Sequence, residues 1–285
     1  MGFKEKLKEA LKEDLTEEEI SLLPGGFQNV GSIIILKLNP ALLKKKKIIA
    51  EACLRLLPSN KAVYLNLGKI KGQFRKPEKI EFVVGEDNPI VEHKEHGVIY
   101  RFDITKIMFS KGNVNERKSL AFLVREGEVI VDMFAGIGYF SLPIAKLSKP
   151  QKIYSIEINP DSFRFLVENI RLNHLKDFII PINGDCKQEV IKLSKLGIKA
   201  DRVIMGVLPA PKDYIKEALS LLKDKGTMYH YEGIIERENY LPLIQEFEEI
   251  TLKENCNCEI ISKRIVKSYG PHLYHAVLDI LVSSS

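Results

Sequence analysis

Residues 129–145 read VIVDMFAGIGYFSLPIA, in which an apolar run meets one acid, a turn with two glycines and a second apolar run. An apolar strand that enters a glycine-rich turn and leaves as a helix is typical of α/β proteins, where the turn brings backbone N–H groups up to an anionic ligand. This stretch constrains the fold more than any other, and it predicts a ligand site at the turn. Several ligands fit that description, so the choice among them depends on the residues that follow.

Strand and helix patterns alternate from about residue 115 to residue 255. Five predicted strands are each followed by a predicted helix, and they read EVIVDMF, KIYSIEI, FIIPING, DRVIMGV and GTMYHYEG. Such alternation predicts a doubly wound, mostly parallel sheet with right-handed crossovers, as in Rossmann-like folds. The chain closes with two successive strand patterns, CEIISKRIVKSY and YHAVLDILV, which predict a hairpin that inserts one antiparallel strand.

The first hundred residues lack this regular alternation of strands and helices. Apolar spacing predicts a helix over residues 4–22, which stops at the Leu-Pro-Gly-Gly sequence of 23–26, and a second helix over 41–57. Short strand patterns, SIIILKL, KAVYLNL, KIEFVV and GVIYRFDI, surround the second helix. We therefore predict a small α+β domain over residues 1–104, with an antiparallel sheet and a helix, ahead of a Rossmann-like domain over residues 105–285.

Composition excludes several classes of protein. Hydrophobic residues make up 45% and charged residues 28%, as in globular chains, and no apolar run approaches the ~20 residues that cross a bilayer. The sequence has four scattered cysteines, Cys53, Cys186, Cys256 and Cys258. So few cysteines suit a reducing cytosol, and we therefore expect a cytoplasmic protein. The last two resemble half of a metal clamp with no second pair, so no metal is predicted. The net charge of +5 is compatible with a polyanionic partner and equally with a solvated surface.

The turn itself narrows the choice of ligand. Asp132 ends the first strand, and residues 135–138 form the turn, but position 141 is Ser where the dinucleotide fingerprint has its third glycine. The Gly-Lys-Ser/Thr of a Walker loop is also absent from the sequence here. An acid just before the glycines suits a ligand with an ammonium group and does not suit a pyrophosphate.

Two further acids lie at the ends of the next strands. Glu157 follows Asp132 by about 25 residues, where a carboxylate can accept both hydroxyls of a ribose, and Asp185 follows the third strand, where an adenine amino group can donate. Taken singly, Glu157 is explained as a solvated residue at a strand end, and Asp185 as an ordinary turn residue. Their order at successive strand ends predicts S-adenosylmethionine as the cofactor.

Four stretches of the chain resemble one family of enzymes. KIMFSKGNVNER, VDMFAGIGYFSLPIA, IEINPDSFRFLVENIRLN and DRVIMG are similar to the archaeal and eukaryotic enzymes that modify tRNA at position 37, next to the anticodon. The resemblance runs from about residue 70 to the end and includes KGQFRKP and KRIVKSYGPHLYHAVLDI. It implies a class I, Rossmann-like S-adenosylmethionine-dependent methyltransferase fold and a tRNA substrate.

The family has two branches, the guanine-37 N1-methyltransferases and the wybutosine-synthesis aminocarboxypropyl transferases. KIMFSKGN, GIGYFSLPIAK and the Met205-Gly206 pair resemble the second branch, since the methyltransferases place Asn-Leu-Pro at that strand end and a carboxylate base where this chain has Ala121. Residues 207–209, Val-Leu-Pro, partly retain the methyltransferase pattern, and Asp-Cys-Lys-Gln at 185–188 departs from the Asp-Asn-Arg-Asp of the transferases. YHYE likewise departs from their His-Tyr-His, and the CNCE tail looks closer to the methylating branch.

These features leave three hypotheses of function. The first is transfer of the 3-amino-3-carboxypropyl group to C7 of 4-demethylwyosine in tRNA-Phe. The second is methyl transfer at the same nucleotide, either to C7 of that precursor or to N1 of guanosine. The third is a cofactor-binding, RNA-binding protein without catalysis, because Gly206 stands where the methyltransferases have their amide.

The resemblance also implies a set of site residues. The predicted catalytic residues are Asn113, Arg117, Gly206 and Pro209. The predicted cofactor-binding residues are Ser110, Arg117, Asp132, Phe134, Ala135, Gly136, Gly138, Glu157, Ile158, Asn159, Asp185, Cys186 and Met205. Arg117 is the candidate partner of the carboxypropyl carboxylate; its alternative is a helix-start arginine paired with Glu116 in solvent. Ser110, Gly112 and Asn113 line the approach of the base or, alternatively, form a linker turn.

The predicted partner is tRNA-Phe, whose anticodon loop presents a single-stranded base at low cost. Predicted phosphate contacts are Lys44, Lys45, Lys46, Lys47, Lys69, Lys71, Arg75 and Lys76, with a solvated helix face and loop as the alternative. Residues near the C-terminus with a possible site or tRNA role are Ser268, Tyr269, His272 and His275, although histidines and tyrosines in strands are more often structural. We expect a monomer without a membrane contact.

Overall fold

The computed structural model describes residues 2–68, 70–72, 76–109 and 111–284. The chain divides into two units, the first formed by Met1–Lys94 and Ile99–Phe109, the second by Glu95–Val98 and Ser110–Ser285. The predicted domain boundary between residues 104 and 105 stays a prediction.

In its described residues, the first unit combines three α-helices with short strands. In chain order its elements are α1 (Phe3–Leu11), α2 (Glu17–Ser21), β1 (Gln28–Val30), β2 (Ile33–Leu36), a 3-10 helix (Pro40–Lys45), α3 (Lys46–Leu56), β3 (Ala62–Asn66), β4 (Ile70–Lys71), β5 (Lys76–Pro77), β6 (Ile80–Gly85), β7 (Ile90–Glu95) and β8 (Val98–Asp103). Strands β4 and β5 pair with each other, and so do β7 and β8, whose turn is grouped with the second unit.

The main sheet of this unit has the strand order β1-β2-β3-β6. Strands β1 and β2 pair antiparallel, and so do β3 and β6, but β2 and β3 run parallel, so the predicted antiparallel sheet is wrong for this one pair. Helix α3 connects these two strands and makes the crossover that a parallel pair requires. Its apolar side packs on α1, and Leu7, Leu11, Ile49 and Cys53 are fully buried in the core between them.

The predicted helix over residues 4–22 is two helices. The break occurs because Thr16 caps α2, accepting a hydrogen bond from the N–H of Glu19 while the Glu19 carboxylate accepts one from the N–H of Thr16. This reciprocal pair is a capping box, which satisfies donors at a helix start and ends the continuity of the preceding helix. The sequence Thr-Glu-Glu-Glu carries that signal.

The second unit alternates strands with helices. Its elements are a 3-10 turn (Lys111–Asn113), α4 (Val114–Leu123), β9 (Val129–Asp132), α5 (Ser141–Leu147), β10 (Lys152–Glu157), α6 (Pro160–Leu172), β11 (Ile179–Asn183), α7 (Cys186–Lys195), β12 (Arg202–Met205), a 3-10 turn (Lys212–Tyr214), α8 (Ile215–Ala218), a 3-10 turn (Leu219–Leu221), β13 (Thr227–Glu236), α9 (Leu241–Lys253), β14 (Cys256–Gly270) and β15 (Leu273–Ser284).

The seven strands of this unit are ordered β11-β10-β9-β12-β13-β15-β14. Strands β9 to β13 run parallel to their neighbours, and β15 lies antiparallel between β13 and β14. The predicted doubly wound sheet with one inserted antiparallel strand is therefore confirmed. Because the strand order reverses direction between β9 and β12, the carboxyl ends of these two strands flank the crevice in which such sheets bind ligands.

The two faces of β13 differ in chemistry. Tyr229 and Tyr231 lie on one face and pack against Phe247 of α9. His230 and Glu232 lie on the opposite face, as alternation along a strand requires, and both are buried. The sheet therefore has an apolar side under α9 and, on its other side, a row of buried polar groups.

None of the helices among the described residues combines the length and apolar character needed to span a bilayer.

Candidate functional site

The glycine turn after β9 has the tight geometry that its sequence predicts. Gly136 and Gly138 have φ angles of 58° and 98°, in the region that favours glycine. A Cβ atom at Gly136 would lie 2.6 Å from the ring of Tyr139, and one at Gly138 would lie 2.6 Å from the side chain of Leu142. The Ala135 N–H donates to the carbonyl of Ile156 at 2.9 Å and ties the turn to β10.

Asp132 lies at the carboxyl end of β9 and is almost fully buried. Its Oδ2 accepts a hydrogen bond from the Ser141 hydroxyl at 2.6 Å, and the Ser155 hydroxyl donates to Ser141 at 2.7 Å. Burial, helped by the nearby carboxylates of Glu157 and Glu232, outweighs the hydrogen bonds from Ser141 and Phe134 and raises the pKa of Asp132 to about 7. A cation bound beside Asp132 would relieve this penalty.

Glu157 lies at the carboxyl end of β10, next to the glycine turn. One carboxylate oxygen accepts the N–H of Gly136 at 2.7 Å, and the other accepts the N–H of Asn159 at 2.7 Å. Burial raises the pKa of Glu157 in spite of these bonds. A carboxylate has about four acceptor positions, so Glu157 can also accept hydroxyl donors such as those of a ribose.

The third acid is also a helix cap. Asp185 accepts the N–H of Lys187 at 2.9 Å and begins α7, and Cys186 follows it as a buried residue. Burial raises the pKa of the Cys186 thiol to about 12, so it contributes as an apolar group. Ile158 is 36% exposed beside Glu157, and Phe134 is half-buried. These apolar side chains at a polar edge suit the faces of a nucleobase.

The structure thus brings most of the predicted cofactor residues to one edge of the sheet. Asp132, Glu157 and Asp185 end or follow three adjacent strands, and the glycine turn lies among them. Asn159 caps α6 by accepting the N–H of Asp161 at 3.1 Å, and Met205 is buried at the end of β12. Ser110 lies outside the described residues. The donor set fits a nucleoside that carries a cationic side chain, because it offers acids and apolar surface and no cluster of cations.

Arg117 lies on α4 and is 1% exposed. Its Nη1 is 3.0 Å and 3.1 Å from the two carboxylate oxygens of Glu95, and its guanidinium lies 5.4 Å from the ring centroid of Tyr139. The alternative of a solvated pair with Glu116 is therefore wrong, since Glu116 pairs instead with Arg264. The ring of Tyr139 contacts the Gly136 turn, so Arg117 lies on the same side of the site as the cofactor residues.

The loop before α4 supplies one more polar group. The Oδ1 of Asn113 is buried and has no hydrogen-bond partner among the described residues. Gly112 is exposed, and a Cβ atom there would lie 2.4 Å from the side chain of Lys267. This loop is thus covered on one side by β14 and keeps a buried amide oxygen for a donor.

The end of β12 is open because residue 206 has no side chain. A Cβ atom at Gly206 would lie 3.0 Å from the ring of Phe140 and 3.4 Å from the carboxylate carbon of Glu232. Pro209 is exposed, and its carbonyl accepts the N–H of Ile234 at 2.9 Å, so the segment after Gly206 is fixed to β13. Glu232 was not predicted as a site residue. Its signal in the sequence is the alternation of polar and aromatic residues in YHYE, where Glu232 follows His230 by two residues, as in a half-buried strand.

A charged cluster formed by Glu116, His230, Arg264 and Asp279 lies under α4. Arg264 donates to Glu116 at 2.6 Å and 3.0 Å and to Asp279 at 2.7 Å. His230 Nδ1 is 2.8 Å from Asp279, and its Nε2 is 3.2 Å from Glu116. The cluster was not predicted, because its members come from distant parts of the chain, with Glu116 and Arg264 148 residues apart, and have no common spacing.

The charges of this cluster compensate one another. Burial alone would raise the pKa of Glu116, but hydrogen bonds from His230 and Arg264 outweigh it and lower the pKa to about 2. Burial would lower the pKa of His230, and the carboxylates of Asp279 and Glu116 outweigh it and raise that pKa. Asp279 likewise has a lowered pKa, since its bonds to His230 and Arg264 exceed the effect of burial. The cluster anchors α4, and with it Arg117, to β13, β14 and β15.

The remaining predicted residues have less distinctive surroundings. His275 is buried and pairs with Glu232, whereas Tyr269 and His272 are exposed and Ser268 bonds the carbonyl of Gly270. Lys45 reaches the carbonyl of Asp14, and Lys46 pairs with Glu81, so two of the four successive lysines make local contacts. Lys69 and Arg75 lie outside the described residues, as does the side chain of Lys71. In the described part of the chain, no three His, Cys, Asp or Glu side chains are grouped to hold a metal ion.

Comparison with known families places both units of the chain. Residues 91–261 match the TRM5/TYW2 methyltransferase domain, and residues 7–88 match the TYW2 N-terminal domain. The two matches together span both of the units seen in the structure.

Individual proteins match over nearly the whole chain. The tRNA(Phe) (4-demethylwyosine(37)-C(7)) aminocarboxypropyltransferase of Pyrococcus horikoshii is 37% identical, over 100% of this chain and 99% of its own length. The enzyme of the same name from Methanocaldococcus jannaschii is 35% identical, over 89% of this chain and 96% of its own. The crystal structure of P. horikoshii TYW2 in complex with MeSAdo superimposes with a TM-score of 0.82 at 34% identity, covering 99% of this chain and 100% of that one.

Proposed function

Because this chain belongs to the TRM5/TYW2 family of the methyltransferase fold, we infer that it is an S-adenosylmethionine-dependent enzyme that modifies position 37 of tRNA-Phe. It transfers the 3-amino-3-carboxypropyl group of S-adenosylmethionine to C7 of 4-demethylwyosine. The observation that carries this conclusion is the end-to-end similarity to two aminocarboxypropyltransferases, which the chain covers over 96% and 99% of their lengths.

The site residues fit the cofactor that this reaction needs. Glu157 would hold the ribose, Asp185 the adenine amino group and Ile158 a face of the adenine, while Asp132 would face the cationic end. When bound, the cofactor supplies a sulfonium whose three attached carbons are all open to a nucleophile. The protein therefore determines which group is transferred by orientation, through proximity of one carbon to the base.

Arg117 is the residue that we propose to select the carboxypropyl group. A guanidinium carries five N–H donors, so Arg117 can keep its contact with Glu95 and still donate to a second carboxylate. Its burial strengthens such a contact relative to one in water. The Tyr139 ring under the guanidinium fixes its plane beside the glycine turn.

Methyl transfer to the same nucleotide remains the second candidate. Residues 207–209 keep the Val-Leu-Pro that resembles the methylating branch, and Asp185-Cys186-Lys187-Gln188 departs from the transferase pattern. The edge of the sheet formed by Asp132, Glu157, Asp185 and the glycine turn is called the cofactor edge. A methyltransferase would use the same cofactor edge with a different carbon presented to the base. The absence of a side chain at Gly206, where the methylating branch has its amide, favours the first candidate.

The test uses S-adenosylmethionine labelled separately in the methyl and in the carboxypropyl carbons. The substrates are tRNA-Phe that is unmodified, N1-methylated at guanosine 37, or carries 4-demethylwyosine. We expect carboxypropyl label on the tricyclic precursor alone. Methyl label on any substrate would establish the second candidate, and no transfer of either label would contradict both.

Arg117→Lys is the matched variant for this assay, because it keeps the charge opposite Glu95 and loses the planar fork. We expect carboxypropyl transfer to fall by roughly 100-fold, the order that misplacement of a reacting group produces. Cofactor affinity measured by calorimetry should fall much less. Equal losses of transfer and affinity would contradict the proposed selection of the carboxypropyl group by Arg117.

A further inference from the structure

Glu232 is a buried carboxylate with one oxygen that lacks a hydrogen-bond partner among the described residues. Its side chain is 3% exposed, and its Oε2 is 3.0 Å from His275 Nε2. Its other oxygen, Oε1, has no hydrogen-bond partner among the described residues, and His230 Nε2 lies 4.0 Å from it. Leaving a buried acceptor unsatisfied costs about 1–3 kcal/mol, so such a group calls for an explanation, and a catalytic role is one of the recognised explanations.

The register of the sheet shows where this carboxylate points. Ile204 of β12 pairs with Asp132 of β9 and with His230 of β13, so these three residues share a face. Because side chains alternate between the two faces of a strand, the next residues on that face are Gly206, just beyond the end of β12, and Glu232 on β13. A Cβ atom at Gly206 would lie only 3.5 Å from Glu232 Oε1. The oxygen without a partner therefore faces the gap that the missing side chain leaves at the crevice.

The gap at Gly206 lies between two carboxylates, those of Asp132 and Glu232. Asp132, on the far side of β12, faces the cofactor end of the crevice and is close enough to Glu232 for their charges to interact. Glu232 lies on β13, beyond the end of β12. We place the entry of the tRNA base on this side of the gap. Its partner His275 holds one oxygen in place, and the Phe140 ring closes the other side of the Gly206 position.

We propose that Glu232 is the base that accepts the proton lost from C7 of the tRNA nucleotide, a role that rests on the proposed function. C7 forms a bond to the transferred carbon as the carbon–sulfur bond breaks, and that electron pair stays on sulfur. C7 then carries both its hydrogen and the new group. The proton passes to Glu232 Oε1, the C–H electron pair restores the aromatic ring, and the proton later leaves to solvent. His275 is a positioning residue that orients Glu232.

The test compares Glu232→Gln with Glu246→Gln. Glu246 is the matched control because it also accepts a hydrogen bond next to β13, from Tyr231 at 2.6 Å, but on the opposite face. The substrate is tRNA-Phe with 4-demethylwyosine that carries hydrogen or deuterium at C7. Single-turnover transfer, cofactor affinity by calorimetry and the thermal unfolding midpoint are measured for each protein.

We expect Glu232→Gln to slow transfer by at least about 100-fold, the usual contribution of a positioned base, with cofactor affinity within about twofold of wild type. Deuterium at C7 should then slow the variant more than the wild type, because proton loss becomes limiting. Glu246→Gln should leave transfer and the isotope effect unchanged. Glu232→Asp keeps a carboxylate drawn back by one methylene and should transfer faster than the Gln variant.

Three results would overturn the proposal. Unchanged transfer in Glu232→Gln would show that no base is needed there, and an equal loss of cofactor affinity would assign Glu232 to the cofactor ammonium instead. Slow transfer without a larger isotope effect, or an Asp variant as slow as the Gln variant, would reduce Glu232 to a structural role. Wild-type protein that transfers no label to the precursor would contradict the proposed function itself, which separates the two failures.

Discussion

The cofactor edge and the charged cluster both bury carboxylates in the second unit, and they differ in what surrounds the charge. At the cofactor edge, the hydrogen bonds that Asp132 and Glu157 receive from described residues come from hydroxyl and backbone N–H groups, and burial raises the pKa of both. In the charged cluster, Glu116 and Asp279 contact His230 and Arg264, and the pKa of both is lowered. A region that compensates its own charge is structural, whereas a region with uncompensated acids is prepared for a cationic ligand.

The largest expected effect is on the charged cluster. Glu116→Gln removes one anion and leaves Asp279 as the one carboxylate of the cluster beside the buried His230 and the half-buried Arg264, which should lower the free energy of unfolding by about 3–5 kcal/mol. Denaturant unfolding at neutral pH measures this change. Glu9→Gln is the control, because it breaks an exposed pair with Lys12 on α1 and should change stability by less than about 0.5 kcal/mol. Similar values for the two variants would remove the distinction between the regions.

The opposite result is expected for the cofactor edge. Asp132→Asn removes a buried acid that has no cationic partner in the described part of the chain, so the protein should unfold at the same or a higher temperature. Cofactor affinity should fall by roughly 10-fold or more, the order expected for one lost charge-assisted contact. Calorimetry and thermal unfolding on the same preparation measure both quantities. A variant that loses stability along with affinity would assign Asp132 a structural role like that of Glu116.

The two regions should also respond to pH with opposite sign. The pKa of Asp132 is raised from 3.8 to about 7, so the stability that it contributes is present below about 3.8 and is lost as pH rises through about 7. A cationic ligand prefers the ionised form, so cofactor affinity should increase as pH rises through about 7. The stability contributed by Glu116 is present above 4.5 and is lost as pH falls toward about 2. Titrations of affinity and of unfolding free energy, with Asp132→Asn and Glu116→Gln as references, test both signs.

The smallest effect concerns the hydroxyl beside Asp132. Ser141→Ala removes the hydrogen bond that favours the ionised carboxylate, so the pKa of Asp132 should rise further. The pH at which cofactor affinity increases should move upward by about one to two units, since one hydrogen bond to a charged group contributes about 1.5–3 kcal/mol and one pKa unit is about 1.4 kcal/mol. A midpoint that stays in place would mean that Ser141 does not tune this acid.

The contrast between these regions also explains what the sequence could predict. The cofactor edge is built from residues at strand ends and in one turn, so local patterns such as Gly136-x-Gly138 and the spacing of Asp132 and Glu157 were enough to predict that these residues lie together. The charged cluster joins Glu116 to Arg264 across 148 residues, and no local pattern encodes a contact that only the sheet order creates. Arg117 was predicted, but its partner Glu95 was not, because that contact depends on where the hairpin turn lies.

The first unit shows the same limit on a smaller scale. Its helices and most of its strands follow from apolar spacing, and the Thr16 capping box was visible in the sequence but was overridden by a longer helical pattern. The parallel pairing of β2 with β3 could not be read from either strand alone, since direction depends on how α3 crosses between them.

The position of β15 has a consequence for how the chain acquires its structure during synthesis. Residues 273–284 are inserted between β13 and β14, so β14 has no neighbouring strand in this sheet until β15 has emerged. Asp279 and His275 arrive with the same segment, and the partners of His230 and Glu232 are therefore delivered late. A nascent chain halted before residue 273 would expose a long strand edge that other chains can pair with, which makes this segment a point of vulnerability to aggregation and to quality control.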